Sequence, residues 1–183
     1  MSVPPLPVSL APVTLVLGGA RSGKSRHAEA LVESQPGACV YLATAQAGDA
    51  EMTARIAAHR ARRGERWTTV EEPLDLAAAL GEACGPDRAV LVDCLTLWLS
   101  NLLGAGRPVA AECEELLAAL PGLAGPVVFV SNEVGQGVVP DNAFTRAFVD
   151  HAGRLHQDLV AVAHRVIFIT AGLPRELKSV SET

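Results

Sequence analysis

The sequence predicts a single α/β domain with a mostly parallel sheet covered by helices on both faces. Uncharged aliphatic segments recur along the chain, and stretches with helical periodicity separate them. Because strands buried on both faces are continuously apolar, this alternation is typical of a parallel sheet. A glycine-rich segment at 18–25 lies between the first aliphatic segment and the first helical one. No repeat or change of composition divides the chain, so we expect one domain at 13–183 after a disordered, proline-rich lead-in at 1–12.

The composition argues against several classes of protein. Of the 183 residues, 49% are hydrophobic and 19% are charged, which is enough apolar surface for a full core. The net charge of −5 argues against general nucleic-acid binding. The N-terminal residues lack the basic start of a signal peptide, and the four cysteines have no CxxC spacing, as expected for buried thiols in a reducing compartment. We therefore expect a cytoplasmic protein that does not bind nucleic acid.

The elements follow one another in a regular order. Strands are predicted at 13–17, 39–43, 89–92, 127–130 and 166–169, with a short extended piece at 67–72. Helices are predicted at 24–33, 51–63, 74–83, 95–103, 110–120 and 144–163, and 172–178 is expected to be a tail.

One apolar stretch, 89–103, resembles a membrane segment more than any other. Four polar residues interrupt it: Asp93, Thr96, Ser100 and Asn101. A membrane-spanning helix needs about 20 predominantly apolar residues. The stretch is therefore predicted to be a buried strand followed by a buried helix, without a membrane span.

The glycine-rich segment reads GGARSGKS and fills every position of the phosphate-loop pattern G-x-x-x-x-G-K-[ST]. Its glycines allow tight turns, and successive amides at a helix N-terminus form an anion nest. Lys24 is expected to reach the outer phosphates, and Ser25 to help hold Mg²⁺. A chance match in a βα turn is the alternative, against which the flanking strand and helix argue. We expect a nucleoside triphosphate to be bound by Gly18, Gly19, Ala20, Arg21, Ser22, Gly23, Lys24 and Ser25.

Ligands of parallel α/β sheets collect at the carboxyl ends of the strands. Predicted strand ends carry Thr44, Asp93 and Thr170, together with the pair at 132–133. Asp93 occupies the position from which an acidic residue of a phosphate-loop enzyme reaches Mg²⁺. The alternative, which we favour less, is an ordinary cap of the following helix, and the two roles are compatible.

The predicted helix at 51–63 combines arginines with a histidine. At helical spacing, Arg55, His59 and either Arg62 or Arg63 share one face. The residues alone slightly favour an arginine-rich solvated face with an incidental histidine. The functional alternative is a phosphate-facing surface, on which guanidinium charges keep His59 neutral and able to attack phosphorus.

Other polar residues are less informative. The segment 132–140 contains two glycines and suits either a loop near the substrate or a structural connection. His151 and His156 are expected on the solvated side of the long helix at 144–163. Trp98 is expected in the core.

The chain resembles the bifunctional adenosylcobinamide kinase / adenosylcobinamide-phosphate guanylyltransferase family of cobalamin biosynthesis. The matching segments run nearly from end to end, at 17–25, 41–45, 49–60, 67–71, 93–98, 131–140 and 172–174. The phosphate loop alone indicates only a nucleotide binder, whereas this combination of segments in this order is highly specific.

The resemblance implies a two-step enzyme with a RecA-like phosphate-loop fold. In the first step, adenosylcobinamide is phosphorylated by ATP or GTP with Mg²⁺, with Lys24 as a catalytic residue. In the second, GTP guanylylates His59, which passes GMP to adenosylcobinamide phosphate and gives adenosylcobinamide-GDP. Family members assemble as homotrimers.

Residues carried over from the family extend the expected nucleotide site beyond the phosphate loop. They are Ala43, Thr44, Ala45, Arg60, Ala61, Arg62, Arg63, Glu71 and Asp93, with Ser25 and Asp93 around Mg²⁺. Two alternatives remain: an enzyme with the kinase activity only, and a regulatory phosphate-loop NTPase that signals through a partner.

Overall fold

The computed structural model describes residues 10–46 and 63–179. The predicted helix at 51–63 lies outside these residues except for its last one, and His59 is among those outside. Residues 1–9 of the predicted lead-in also lie outside the described residues.

The described chain begins against the sheet. Leu10 is buried, and the backbone N–H of Val127 donates a hydrogen bond of 2.9 Å to the carbonyl of Pro12. Residues 10–12, which the sequence assigns to the disordered lead-in, therefore pack on the domain.

The described residues form seven strands, five α-helices and one 3-10 turn. The strands are β1 (Val13–Gly18), β2 (Ala38–Ala43), β3 (Trp67–Glu71), β4 (Arg88–Asp93), β5 (Val127–Asn132), β6 (Arg165–Thr170) and β7 (Leu173–Ser179). The helices are α1 (Lys24–Glu33), α2 (Leu76–Ala83), α3 (Leu95–Gly104), α4 (Val109–Ala119) and α5 (Ala143–Val162), and the 3-10 turn is Leu120–Gly122.

One sheet contains all seven strands, in the order β3-β2-β4-β5-β1-β6-β7. Every neighbouring pair is parallel except β6 and β7. The predicted parallel sheet is confirmed, and the predicted extended piece at 67–72 is its edge strand β3.

The tail predicted at 172–178 is wrong, because these residues form most of β7. β7 runs antiparallel to β6 after a tight turn in which Ala171 and Gly172 have φ of 51° and 81°. Such a pair of positive φ values suits the twist of a two-residue hairpin. The strand is almost wholly exposed at the sheet edge, so its composition is polar and carries no aliphatic signal.

Helices cover both faces of the sheet, as predicted. Helix α1 packs on one face, where its Ala28 and Val32 join alternate strand residues such as Val16 and Leu91 in one apolar cluster. The other strand residues face α2, α3, α4 and α5, with Trp98 of α3 fully buried among them. The sheet therefore has an α1 face and an opposite face with four described helices.

The stretch 89–103 is divided between β4 and α3, as the sequence predicts. Within residues 10–46 and 63–179, no helix has the length and apolar character that crossing a membrane requires.

Candidate active site

The phosphate loop connects β1 to α1 at the carboxyl edge of the sheet. β1 ends at Gly18 and α1 begins at Lys24, as the motif predicts. Arg21 and Gly23 have φ of 56° and 97°, and the N–H of Ser22 donates to the carbonyl of Gly19 at 3.3 Å. Left-handed residues between right-handed ones turn successive amides toward one side of the loop. This backbone is therefore built to receive an anion.

Gly18 is required by close approach. A Cβ at this position would lie 2.6 Å from the carbonyl oxygen of Ile169 and 2.6 Å from the hydroxyl of Ser22. Gly19 differs, because a Cβ there would meet nothing within 4 Å. The first glycine of the motif is therefore fixed by packing of the protein against itself.

The ammonium group of Lys24 lies at the loop. Its Nζ donates to the carbonyl of Gly19 at 3.2 Å, and the residue is only 9% exposed. The first turn of α1 adds the positive end of the helix dipole at the same place. A lysine held here can contact the outer phosphates of a nucleotide bound in the loop.

Asp93 ends β4 on the α1 face of the sheet. Ala89 and Leu91 belong to the α1-side cluster, and alternation along the strand places Asp93 on the same side. Its carboxylate Oδ2 accepts a hydrogen bond of 3.1 Å from the hydroxyl of Tyr41 on the neighbouring strand β2. No side chain caps α3, whose N-cap residue is Cys94, so the helix-cap alternative for Asp93 is not found.

The thiol of Cys94 is buried next to Asp93 in the chain. Burial raises the pKa of this thiol to about 11, and the carboxylate of Asp93 adds to the rise, whereas the hydrogen bond with Thr96 and the ammonium of Lys24 oppose it. At neutral pH the thiol is therefore protonated, and its Sγ lies 3.2 Å from the hydroxyl oxygen of Thr96. This cysteine serves packing at the base of the site.

Thr44 joins the ends of β2 and β4. Its hydroxyl donates to the carbonyl of Cys94 and accepts from the N–H of Cys94, both at 2.8 Å. The Nδ2 of Asn101 donates to the carbonyl of Thr44 at 2.8 Å and to that of Pro73 at 3.1 Å. Thr44 is fully buried, so its side chain fixes the strand ends, and its predicted contact with nucleotide stays a prediction.

Three predicted site residues lie in one row across the sheet. Ala43 on β2 pairs with Glu71 on β3 and with Asp93 on β4. Glu71 is exposed at the end of the edge strand. Ala45 lies two residues after Ala43. The strand-end rule predicts the place of Asp93 at this edge, and Ala43 and Glu71, which only the family resemblance implies, lie beside it. Their contacts with nucleotide stay predictions.

Arg63 is the one residue of the predicted arginine group that the structure describes. Its guanidinium carbon lies 3.5 Å from the centroid of the Tyr41 ring, and its Nη1 donates to the hydroxyl of Thr69 at 3.4 Å. Arg63 therefore stacks on the ring of Tyr41, whose hydroxyl donates a hydrogen bond to Asp93. The structure does not describe His59, Arg60, Ala61 or Arg62.

The end of β5 connects the loop at 133–140 to the phosphate loop. The N–H of Glu133 donates to the carbonyl of Gly18 at 3.1 Å. The amide Nδ2 of Asn132 donates to the hydroxyl of Thr96 at 2.8 Å. The loop therefore begins at the site, and both predicted alternatives, a loop near the substrate and a structural connection, fit this position.

His156 is buried, so its predicted place on the solvated side of α5 is wrong. Its Nε2 lies 2.7 Å from the hydroxyl oxygen of Ser131, a fully buried residue at the end of β5. Burial lowers the pKa of this imidazole, and the carboxylate of Glu133 opposes the change. Helical periodicity leaves such a position ambiguous, because a polar side chain on the inner face needs a partner that only the fold supplies.

The hairpin between β6 and β7 also contacts the phosphate loop, which the sequence analysis missed. The N–H of Gly172 donates to the carbonyl of Ser22 at 2.8 Å, and a Cβ on Gly23 would lie 3.4 Å from the Cα of Gly172. The sequence did contain a signal for this contact, because Gly172 belongs to the segment 172–174 that matches the family.

The described fold and loop define a phosphate-loop NTPase of α/β class. Solved structures with this fold include the flagellar accessory protein FlaH from Methanocaldococcus jannaschii, at a TM-score of 0.56 and 10% identity over 94% of this chain and 80% of that one. A prototypical ATPase from the type III secretion system of pathogenic bacteria gives a TM-score of 0.56 and 12% identity over 91% of this chain and 57% of that one. At these identities the likeness shows the fold alone.

Sequence comparison identifies the family. Residues 14–177 match the family described as cobinamide kinase / cobinamide phosphate guanyltransferase. The bifunctional adenosylcobalamin biosynthesis protein CobP of Pseudomonas aeruginosa is 54% identical over 166 residues, which cover 90% of this chain and 96% of the relative. The corresponding protein CobU of Escherichia coli strain K12 is 40% identical over 179 residues, which cover 90% and 98%.

The chain belongs to the cobinamide kinase / cobinamide phosphate guanyltransferase family. It is therefore a nucleotide-binding enzyme with both activities, as the resemblance implies. The predicted family and bifunctional activity are confirmed.

Proposed function

We propose that the two reactions share one nucleotide site and differ in the phosphorus atom that is attacked. The observation that supports this proposal is the arrangement of one phosphate loop, Lys24 and Asp93 at a single carboxyl edge of the sheet. In the kinase reaction the γ-phosphorus reacts directly with cobinamide. In the guanylyltransferase reaction the α-phosphorus reacts with His59 of the chain.

In the kinase reaction, a hydroxyl oxygen of adenosylcobinamide attacks the γ-phosphorus of ATP or GTP. The new oxygen–phosphorus bond forms as the bond to the β-phosphate oxygen breaks, the nucleoside diphosphate leaves, and the hydroxyl proton is released. Lys24 stabilises the charge that develops on the phosphate oxygens, as the equivalent lysine does in phosphate-loop enzymes. The amides of the phosphate loop hold the remaining phosphates.

Mg²⁺ fits the oxygen groups at this edge of the sheet. Ser25 supplies a hydroxyl in the first turn of α1, and Asp93 supplies a carboxylate on the face that α1 covers. Mg²⁺ prefers such hard oxygen ligands and is bound by one or two carboxylates together with substrate phosphates. When bound, it neutralises charge on the phosphates, and Ser25 and Asp93 hold it.

In the guanylyltransferase reaction, a ring nitrogen of neutral His59 attacks the α-phosphorus of GTP. A phosphorus–nitrogen bond forms, pyrophosphate leaves and the imidazole loses a proton. A phosphate oxygen of adenosylcobinamide phosphate then attacks the same phosphorus, the phosphorus–nitrogen bond breaks, and the departing imidazole takes up a proton to regenerate neutral His59. Arg60, Arg62 and Arg63 neutralise the phosphate charge during both transfers.

The test is the intact mass of the denatured protein after incubation with GTP and Mg²⁺. The wild-type chain should gain the mass of one GMP, and His59→Ala should gain nothing. His151→Ala, which changes a histidine on α5, is the matched control and should be labelled like the wild type. A label on His59→Ala would overturn the proposed nucleophile, whereas phosphorylation of adenosylcobinamide by an unlabelled wild-type chain would favour a kinase-only enzyme.

The proposal also includes a homotrimer in the cytoplasm. The family resemblance supports the trimer, and the cysteine pattern supports a reducing compartment. Sedimentation equilibrium of the purified chain tests the assembly, and a monomer across the micromolar range would contradict it.

A further inference from the structure

Tyr41 contacts two residues of the proposed site at once. It lies on β2, two residues before the end of the strand, and is 7% exposed. Its hydroxyl donates to Oδ2 of Asp93 at 3.1 Å, and the guanidinium of Arg63 lies over its ring at 3.5 Å from the centroid. The edge of the Trp67 ring is also close, with the two ring centroids 6.3 Å apart at 70°.

The hydrogen bond leaves half of the Asp93 carboxylate available. Within the part of the chain that the structure describes, Oδ2 accepts from Tyr41, and no hydrogen bond to Oδ1 is found. A hydrogen bond to an ionised acceptor is stronger and more directional than one between neutral groups. The phenol therefore fixes the rotation of the carboxylate while leaving Oδ1 for a cation.

The phenol remains a donor over the working pH range. Burial raises the pKa of Tyr41, and the neighbouring negative charge of Asp93 raises it further, while Arg63 opposes the rise. Glu29 of α1 adds a smaller contribution in the same direction as Asp93. The surroundings of Tyr41 therefore favour the neutral phenol, which is the form that can donate this hydrogen bond.

The ring provides a second, independent contact. A guanidinium over an aromatic face is stabilised by the ring quadrupole and by stacking. Arg63 comes directly after Arg62 and four residues after His59 in the chain. One rigid side chain thus contacts both the carboxylate at the end of β4 and the arginine after His59.

We propose that Tyr41 is a positioning residue that holds the Asp93 carboxylate for Mg²⁺ through its hydroxyl and holds Arg63 for the nucleotide through its ring. This inference rests on the proposed function, because it takes from it the roles of Asp93 and Arg63. Tyr41 touches neither substrate in this scheme and acts only through these two neighbours.

Two substitutions separate the two contacts. Tyr41→Phe removes the hydroxyl and keeps the ring under Arg63. Tyr41→Leu removes both. The measured quantity is the dissociation constant of the α,β-methylene analogue of GTP, with Mg²⁺ and with EDTA, because this analogue cannot donate GMP.

For Tyr41→Phe, the gain in affinity that Mg²⁺ provides should fall about tenfold, as expected for the loss of a hydrogen bond to a charged group. Its affinity in EDTA should match that of the wild type. For Tyr41→Leu, the affinity in EDTA should also fall, by about threefold, because Arg63 loses its aromatic support.

A double-substitution cycle shows whether Tyr41 acts through Asp93. In an Asp93→Asn background, adding Tyr41→Phe should leave the Mg²⁺ gain unchanged, whereas a residue with a merely structural role would lower both affinities again. Urea unfolding of each variant identifies any that fail to fold. Tyr41→Phe is expected to fold because it keeps the aromatic ring in place.

The inference is overturned if Tyr41→Phe retains the full Mg²⁺ gain, or if it loses the same affinity in EDTA as in Mg²⁺. Failure of the proposed function looks different, because it shows as a wild-type chain without a GMP label or a labelled His59→Ala variant. The binding assay does not depend on His59. The proposed role of Tyr41 and the proposed GMP transfer through His59 can therefore fail independently of each other.

Discussion

The hydroxyl of Thr44 forms two hydrogen bonds with the backbone of Cys94, one to its N–H and one to its carbonyl, both at 2.8 Å. The two residues lie 50 positions apart along the chain, immediately after the ends of β2 and β4. The N–H of Thr44 still donates to the carbonyl of Asp93 at 3.3 Å, so the side chain extends the backbone pairing of two parallel strands by one residue. This bond pair fixes the position of Asp93, the residue before Cys94.

Thr44→Val should destabilise the protein strongly for a change of nearly equal shape. Valine fills the same space but leaves the N–H and the carbonyl of Cys94 without this partner in a fully buried position. The carbonyl of Cys94 keeps a bond of 3.1 Å from the N–H of Trp98, whereas its N–H loses its partner. The lost bonds and the buried unpaired N–H should together lower the free energy of unfolding by about 3 kcal/mol. Urea unfolding measures this change.

The control is Thr68→Val on the exposed side of the edge strand β3. An exposed substitution of the same chemistry should change the free energy of unfolding by less than about 0.5 kcal/mol. Equal effects at the two positions would mean that β-strand propensity, and not the paired hydrogen bonds, accounts for the loss.

Gly18 and Gly19 should respond differently to the same change, although both belong to the phosphate loop. In Gly18→Ala the new methyl group meets the backbone carbonyl of Ile169, which cannot move without disturbing β6. Overpacking of this kind should cost about 1–3 kcal/mol of stability. In Gly19→Ala the methyl group enters open space.

Thermal or urea unfolding without nucleotide measures the two variants, because that condition excludes any contact with phosphate. The stability of Gly19→Ala should stay within about 0.5 kcal/mol of the wild type. If both alanine variants unfold like the wild type, the close approach at Gly18 is not a real constraint on the fold.

The parallel strands could be predicted from the sequence because burial on both faces demands continuous aliphatic residues. β7 could not be predicted in this way, since it lies exposed at the edge and pairs through its backbone. The phosphate loop and Asp93 were predictable for a different reason. The motif and the end of an aliphatic strand can both be located in the sequence. Because the carboxyl ends of parallel strands meet at the same edge of the sheet, residues at these two places are expected to lie close together.

The polar residues inside the apolar stretch at 89–103 were a signal that the sequence alone could not interpret. Thr96 accepts from Asn132, and Asn101 donates to the carbonyls of Thr44 and Pro73. Each hydrogen-bond partner comes from a distant part of the chain, so no local sequence pattern predicts it. The interruptions indicated correctly that the stretch is no membrane helix, and two of them, Thr96 and Asn101, also bond to residues at the ends of β5 and β2 around the site.

The stability of the protein should decrease as the pH falls below about 6.5, and His156 should cause part of this decrease. Burial lowers the folded-state pKa of His156 below its ordinary value of 6.5, so the unfolded chain binds the proton more readily. The stabilisation is therefore complete above pH 6.5 and is lost as the pH falls toward the lower folded-state pKa. His27, whose pKa is lowered by burial and by Arg165, acts in the same direction.

Urea unfolding at pH 7.5 and at pH 5.5 tests this dependence. His156→Gln keeps an amide that can bond to Ser131 but cannot titrate, so the difference in free energy between the two pH values should shrink. The double variant with His27→Gln should show the smallest difference. His151→Gln, on the same helix, should keep the wild-type difference, and a wild-type difference in His156→Gln as well would place the titrating group elsewhere. The comparison uses the difference in the free energy of unfolding between the two pH values. A substitution that lowers stability equally at both pH values therefore does not affect the conclusion.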